Sequence, residues 1–149
     1  MKRLVSLVLL LSLVFAAPIQ EVEVRGTDAV LAALVRISLP FGVGDEPGDL
    51  GQATAAVLGT GYFRDARVAL EGQKLIVDVT PNPAITKVTT TAKIFPEAAL
   101  LRYLESEQAI GIGSTFNPNR ATEAAVAIAR IYRQEGNLPF EPKVTPEAK

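Results

Sequence analysis

The chain has 149 residues, enough for one ordinary domain or two small ones. It contains no cysteine and no histidine, which excludes disulfides, thiol nucleophiles, the usual structural zinc sites and any serine–histidine relay. A formal net charge of −1 argues against a nucleic-acid partner, which would call for a basic face.

The first residues carry an address. Lys2 and Arg3 form a short positive region, Leu4 to Phe15 is an apolar run, and Val14-Phe15-Ala16 is a small-residue cleavage site before Ala17. Spanning a bilayer takes roughly 20 apolar residues, and this run breaks at Pro18 and Gln20. The expectation is a signal peptide over 1–16 that is removed on export. Losing Lys2 and Arg3 leaves 13 basic against 16 acidic side chains.

Ile19 to Val24 reads as a short strand ended by Arg25-Gly26, with Gln20, Val22 and Val24 on one face and Ile19, Glu21 and Glu23 on the other. Thr27 or Asp28 caps the helix that follows, because a side-chain oxygen there accepts from a free first-turn N–H. Its expected apolar stripe is Val30, Leu31, Leu34, Val35 and Leu39. Pro40 to Gly48 is a loop punctuated by glycine and proline. Asp49 caps a second helix, with Leu50, Ala53, Thr54, Val57 and Leu58 on its inner face. Gly59 and Gly61 are its expected stop residues.

The stretch from Tyr62 to Pro83 then changes period. Ala66, Val68 and Leu70 alternate with Asp65, Arg67 and Ala69, the pattern of a strand with one buried face. Glu71-Gly72-Gln73 is a short turn. Leu75, Val77 and Val79 then oppose Ile76, Asp78 and Thr80 in a second, more apolar strand, expected to be central. Pro81-Asn82-Pro83 closes the hairpin. The order so far is β-α-α-β-β.

After Pro83 the pattern starts again. Ile85 to Thr91 is extended and rich in threonine, with Val88 the clearest inward residue. Pro96 suits the first turn of a helix whose Leu100, Leu101 and Leu104 face inward. Gly111-Ile112-Gly113 forms a loop, and Asn117-Pro118 is a cap followed by proline at the first helical position. Ala121, Ala124, Ala125, Ile128, Ile131 and Tyr132 form one stripe of the last helix, which Gly136 stops. Leu138 to Val144 is interrupted by Pro139 and Pro142, so it reads as an edge strand or as nothing regular. The chain is an internal repeat whose second copy lacks a clear last strand.

Leu58 through Gly61-Tyr62-Phe63-Arg64-Asp65, Leu75-Ile76-Val77-Asp78-Val79, Asn82-Pro83, Phe116-Asn117-Pro118 and Ile131-Tyr132-Arg133-Gln134-Glu135-Gly136 together resemble tandem POTRA (polypeptide-transport-associated) domains. Such domains, behind a signal peptide, are similar to the periplasmic arm of BamA-type outer-membrane assembly factors. The resemblance covers essentially everything after the leader. It implies an α+β fold with one β-α-α-β-β domain over 17–83 and a second, apparently incomplete, over 84–149. The sequence departs from the family pattern at Pro81, where an acidic residue is usual, and at Ala92-Lys93, which replaces a glycine-asparagine pair. Barrel strands would need roughly 10-residue alternating segments in series, and none follows in this chain, so the arm is what the resemblance implies.

Most conspicuous residues have plain structural readings. Tyr62 and Phe63, at a helix–strand junction, are expected in the core. Gly59-x-Gly61 and Gly111-x-Gly113 are too short for phosphate loops and do not join a strand to a helix. Asp45, Glu46 and Asp49 read as a solvated, helix-capping loop rather than the six to eight oxygens of a calcium site. No carboxylate pair is placed for acid–base catalysis, so neither enzyme, metal nor cofactor is expected.

What remains is binding. The resemblance places the first hairpin strand, Arg64, Asp65, Ala66, Arg67, Val68, Ala69 and Leu70, at an edge of the sheet, where backbone groups can pair with an incoming extended chain. The expected function is a non-enzymatic periplasmic scaffold at the outer membrane. Its partners would be unfolded outer-membrane polypeptides or assembly-machinery proteins, with the membrane itself met only indirectly. The alternative is a structural adaptor of a division-septum or other envelope complex.

Overall fold

The computed structural model describes residues 17–90 and 95–136. The expected leader, Ala92-Lys93 and Leu138–Val144 lie outside the described residues. The elements are β1 (Glu21–Arg25), α1 (Ala29–Ser38), α2 (Leu50–Gly59), β2 (Phe63–Glu71), β3 (Lys74–Pro81), α3 (Glu97–Gln108) and α4 (Pro118–Gln134).

The three strands form one sheet in the order β1-β3-β2, with β3 parallel to β1 and antiparallel to β2. The most apolar strand is thus the central one, as its sequence requires. Hairpin β2–β3 turns on Gly72-Gln73, and Gly72 takes φ 62° at the first central position, which suits the twist of a two-residue hairpin. Leu75, Val77 and Val79 meet Ala66 and Val68 on one face of the sheet, where Ile19, Val35, Ala53, Val57 and Phe63 complete a continuous core under α1 and α2.

Both helices begin on an aspartate. Asp28 Oδ1 accepts from the N–H groups of Val30 and Leu31, each at 2.9 Å, and Asp49 Oδ1 from Gly51 at 2.7 Å and Gln52 at 3.1 Å. Asp45 Oδ2 holds the N–H of Gly42 at 2.8 Å, so the acidic loop residues Asp45 and Asp49 are occupied in shaping backbone. Among the described residues no cluster of acidic side chains is placed to hold a metal ion, and no helix is long and apolar enough to cross a membrane.

Several expectations change. Leu58 is 38% exposed rather than on the inner face of α2, whose buried residues are Ala53 and Val57. Val30 points outward at 78% exposure, and the buried side of α1 is Ala32 and Val35 with Leu31 packed beside them. The helix is apolar nearly all round, so its stripe could not be placed by period alone. Ile19 is in the core rather than on the face of Glu21 and Glu23, because it precedes the regular strand. Gly59 belongs to α2, and only Gly61, at φ 80°, takes the left-handed turn that ends the helix. Residues 85–90 form no strand; Ala84 bridges to Thr115, and Ile85 donates to Ser114 O and accepts from Gly113 N–H, each at 2.8 Å, so the pairing is a short one with the loop before α4.

In that half α3 and α4 pack on each other. Leu100, Ala121, Ala124, Ala129 and Tyr132 are buried, while Leu101, Leu104, Ile128 and Ile131 are half-buried. Phe95, just before α3, meets the Tyr132 ring edge-on with centroids 5.1 Å apart. Gly136, at φ 75°, follows the end of α4.

Candidate functional site

Two strands have an outer edge, and they are not equivalent. At β1 the edge begins already occupied. Gln20 N–H donates to Gln73 O at 2.8 Å on the β3 side. Its neighbour Ile19 faces the other way, donating to Asp45 O at 2.9 Å and accepting from Gly44 N–H at 2.8 Å. The loop after α1 therefore takes up the chain just ahead of β1. Among the described residues no strand pairs with the outer edge of β2.

The geometry of that edge follows from the hairpin. Glu71 and Lys74 flank the two-residue turn and face each other across it, so they exchange both backbone hydrogen bonds, and pairs then alternate away from the turn. Ala69 and Arg67 bond inward to Ile76 and Asp78. Leu70, Val68 and Ala66 turn their N–H and C=O groups outward. Every residue of the expected addition edge, Arg64 through Leu70, lies in β2. The strand is irregular at one end, where the register skips Arg64 between Phe63 opposite Pro81 and Asp65 opposite Thr80. A bulge of this kind twists the edge and limits uncontrolled pairing, leaving Asp65 to Glu71 as a regular run of open edge.

The face of the sheet away from the helices is charged. Glu23 lies between Arg25 Nε, 2.6 Å from its Oε1, and Lys74 Nζ, which also reaches Glu21 at 3.2 Å. The Arg25 guanidinium first, then the Lys74 ammonium, hold the Glu23 carboxyl at about 2 against an ordinary 4.5. The same contacts raise Lys74 and Arg25, with Glu23 the largest cause in each. Ile76 sits in the middle of this face and is only 3% exposed.

Of the remaining motif residues, Gly61, Tyr62, Asn82, Pro83, Asn117 and Pro118 gather at one place, between the halves, while Tyr132 packs on Phe95 and Gly136 follows α4. The last carbonyls of α2 lack intrahelical partners, and asparagine amides supply them. Asn117 Nδ2 donates to Thr60 O at 3.0 Å, Asn119 Nδ2 to Gly59 O at 3.2 Å, and Asn82 Nδ2 to Gly61 O at 2.8 Å and Phe116 O at 3.0 Å. Asn117, 6% exposed, also caps α4, its Oδ1 accepting from Asn119 N at 2.9 Å and Arg120 N at 3.3 Å. The negative end of α2 thus abuts the positive end of α4. A Cβ on Gly61 would collide with Asn117 Oδ1 and come within 2.8 Å of Asn119 Nδ2.

Pro118 opens α4, and Pro83 O accepts from Phe116 N at 3.0 Å. Phe63 is buried as expected, whereas Tyr62 is half-buried and lines a cleft of about 350 Å³ with Leu34, Thr60, Asn119, Arg120 and Glu123. Sequence reasoning found Asn117 as a cap and Asn82 as part of the hairpin's close, did not single out Asn119, and missed that the three tie the halves together. Cap signals are local, and the carbonyls that Asn117 and Asn119 reach are 57 and 60 residues away in sequence.

No protein-family model matches the chain. Solved structures do. The N-terminal domain of Omp85 from the thermophilic cyanobacterium Thermosynechococcus elongatus superposes with a TM-score of 0.62 at 23% identity, over 87% of this chain and 58% of that one. Fragment POTRA1-2 of the periplasmic domain of Omp85 from Anabaena gives a TM-score of 0.54 at 21% identity, over 86% of this chain and 88% of that one. Against POTRA1-3 of the same Anabaena domain the TM-score is 0.56, and this chain spans 56% of the fragment's length. The fold is therefore that of POTRA domains of Omp85- and BamA-type proteins, and the likeness takes in both halves of the chain.

Proposed function

We propose that the chain is a non-enzymatic periplasmic scaffold for outer-membrane protein assembly or polypeptide transport, which holds extended chains by strand addition along the outer edge of β2. The observation that carries this reading is the asymmetry of the sheet. The chain leading into five-residue β1 is taken up by a hydrogen-bonded loop, while nine-residue β2 offers the outward backbone groups of Ala66, Val68 and Leu70. The POTRA fold supports the setting, since the similar solved fragments come from the periplasmic domain of Omp85. In this reading 17–83 and 84–149 are two POTRA-like domains, and the leader over 1–16 is removed on export. The partners are unfolded outer-membrane polypeptides or proteins of the assembly machinery.

Binding of a fluorescent peptide from a barrel strand, followed by anisotropy, tests the mode directly. The peptide binds, and N-methylation of alternate residues along one edge abolishes binding while the same modification along the other edge does not. Equal binding by both N-methylated peptides would rule out strand addition.

A further inference from the structure

The open face of the sheet carries its charges in rows that cross all three strands. Glu21, Lys74 and Glu71 share one row, and Arg25, Asp78 and Arg67 share another, four residues further along β1 and β3. Between them runs Glu23, Ile76 and Ala69, apolar from β3 outward. The sign alternates from strand to strand in both charged rows, negative-positive-negative and then positive-negative-positive. Directly opposed charges of unlike sign are the arrangement that stabilises a sheet.

The alternation is satisfied differently on its two sides. Toward β1, Lys74 pairs with Glu21 across the strands and with Glu23, and Arg25 pairs with Glu23 on its own strand while meeting Asp78 only at longer range. Toward the open edge the charges are not paired. Among the described residues Arg67 and Glu71 enter no ion pair and no side-chain hydrogen bond, and both are exposed. The next strand in the sheet would extend both rows by one position.

We propose that the β2 edge selects its strand by charge, taking an antiparallel segment with a basic residue opposite Glu71, a small or apolar residue opposite Ala69 and an acidic residue opposite Arg67. The intervening residues are apolar, because they continue the row of Leu70 and Val68 on the helix side of the sheet. This rests on strand addition at β2 and adds to it the class of chain accepted. Read from its N-terminus the segment is basic-apolar-small-apolar-acidic, the charges four residues apart.

Two fluorescent peptides containing Lys-Val-Ala-Val-Glu and Glu-Val-Ala-Val-Lys, otherwise identical, decide the matter by anisotropy at low salt. Each matched pair is worth about 2- to 5-fold, so the first peptide binds roughly 5- to 20-fold more tightly, a margin that shrinks as salt rises. Arg67→Gln with Glu71→Gln removes the preference without placing like charges together, and Arg67→Glu with Glu71→Arg reverses it. Equal binding of the two peptides to the unaltered protein overturns the charge preference and leaves strand addition standing. A preference that persists in the glutamine variant also overturns it, since the discrimination would then lie elsewhere. If neither peptide binds, strand addition at this edge fails and the preference with it.

Discussion

Side chains of Asp28, Asp49 and Asn117 cap α1, α2 and α4 alike, α3 starting uncapped at Pro96, but the halves 17–83 and 84–136 cover their helices differently. In the first, α1 and α2 lie on a three-stranded sheet, and Val35, Val57, Leu75 and Val77 are wholly buried. In the second, α3 and α4 have each other and one bridge, and Leu101, Leu104, Ile128 and Ile131 remain half-buried among the described residues. The difference teaches where cohesion comes from. Two helices alone cannot enclose their apolar stripes, while a sheet provides a wide surface for both. The second half is accordingly fastened to the first at α2, through amides of Asn117 and Asn119 that satisfy the end of that helix.

The largest expected effect separates the two cores. Leu75→Ala removes a wholly buried side chain from the central strand and should cost about 3–4 kcal/mol, whereas Leu104→Ala, at a half-buried site, should cost about half that. Urea titrations of the two variants check this. Equal losses would mean that the halves are equally well covered.

Next comes the joint. Gly61→Val places a branched side chain at positive φ and against Asn117, and should destabilise the chain by on the order of 1–3 kcal/mol. The amide resonances of Asn119 and Arg120 at the start of α4 should shift along with those of β2. A local effect confined to α2 and β2, or an unchanged melting temperature, would separate Gly61 from the joint.

Asn117→Ala loses both a cap and the bond to Thr60 O and should cost about 1–2 kcal/mol. Asn117→Asp keeps the cap but has no N–H for that carbonyl, so its melting temperature should fall between those of the alanine variant and the unaltered protein only if the joint matters. An aspartate variant as stable as the unaltered protein would reduce Asn117 to a local cap.

The smallest effect is electrostatic and belongs to the first half alone. Because Glu23 titrates at about 2 when folded and near 4.5 when free, its contribution is complete above about pH 4.5 and fades as the pH falls toward 2. Lys74, raised by Glu23 and Glu21, contributes fully below its ordinary value and loses that contribution only as the pH rises past the raised one. These groups are solvent-exposed, so the effect is modest and weakens with salt. Glu23→Gln should flatten the acid limb of stability against pH, and an unaltered limb would place its origin in other carboxylates.

Much of the first half was legible because its signals are local. Aspartate caps, the Gly72 turn and the two-residue alternation of Ala66-Val68-Leu70 and Leu75-Val77-Val79 each fix an element without reference to distant residues. The stripe of α1 was not legible, since Val30 and Ile37 are as apolar as Leu31 and Val35 yet are 78% and 82% exposed. Threonine-rich residues 85–90 read as a strand by propensity, but their strand-like pairing is the short one of Ala84 and Ile85 with 113–115, and propensity does not fix how far a pairing runs. At the edge itself, the sequence showed charges at Arg64, Asp65 and Arg67. Their meaning comes from register, which sets Arg67 beside Asp78 and Asp78 beside Arg25.

Amide hydrogen exchange along β2, resolved residue by residue, tests the open edge most directly. In the free protein the outward amides of Ala66, Val68 and Leu70 should exchange quickly while those of Arg67 and Ala69, bonded to β3, stay protected. Adding an extended outer-membrane-protein peptide should slow Ala66, Val68 and Leu70 and leave the amides of β1 unchanged. Protection that appears on β1 instead, or on neither strand, would contradict β2 as the receiving edge.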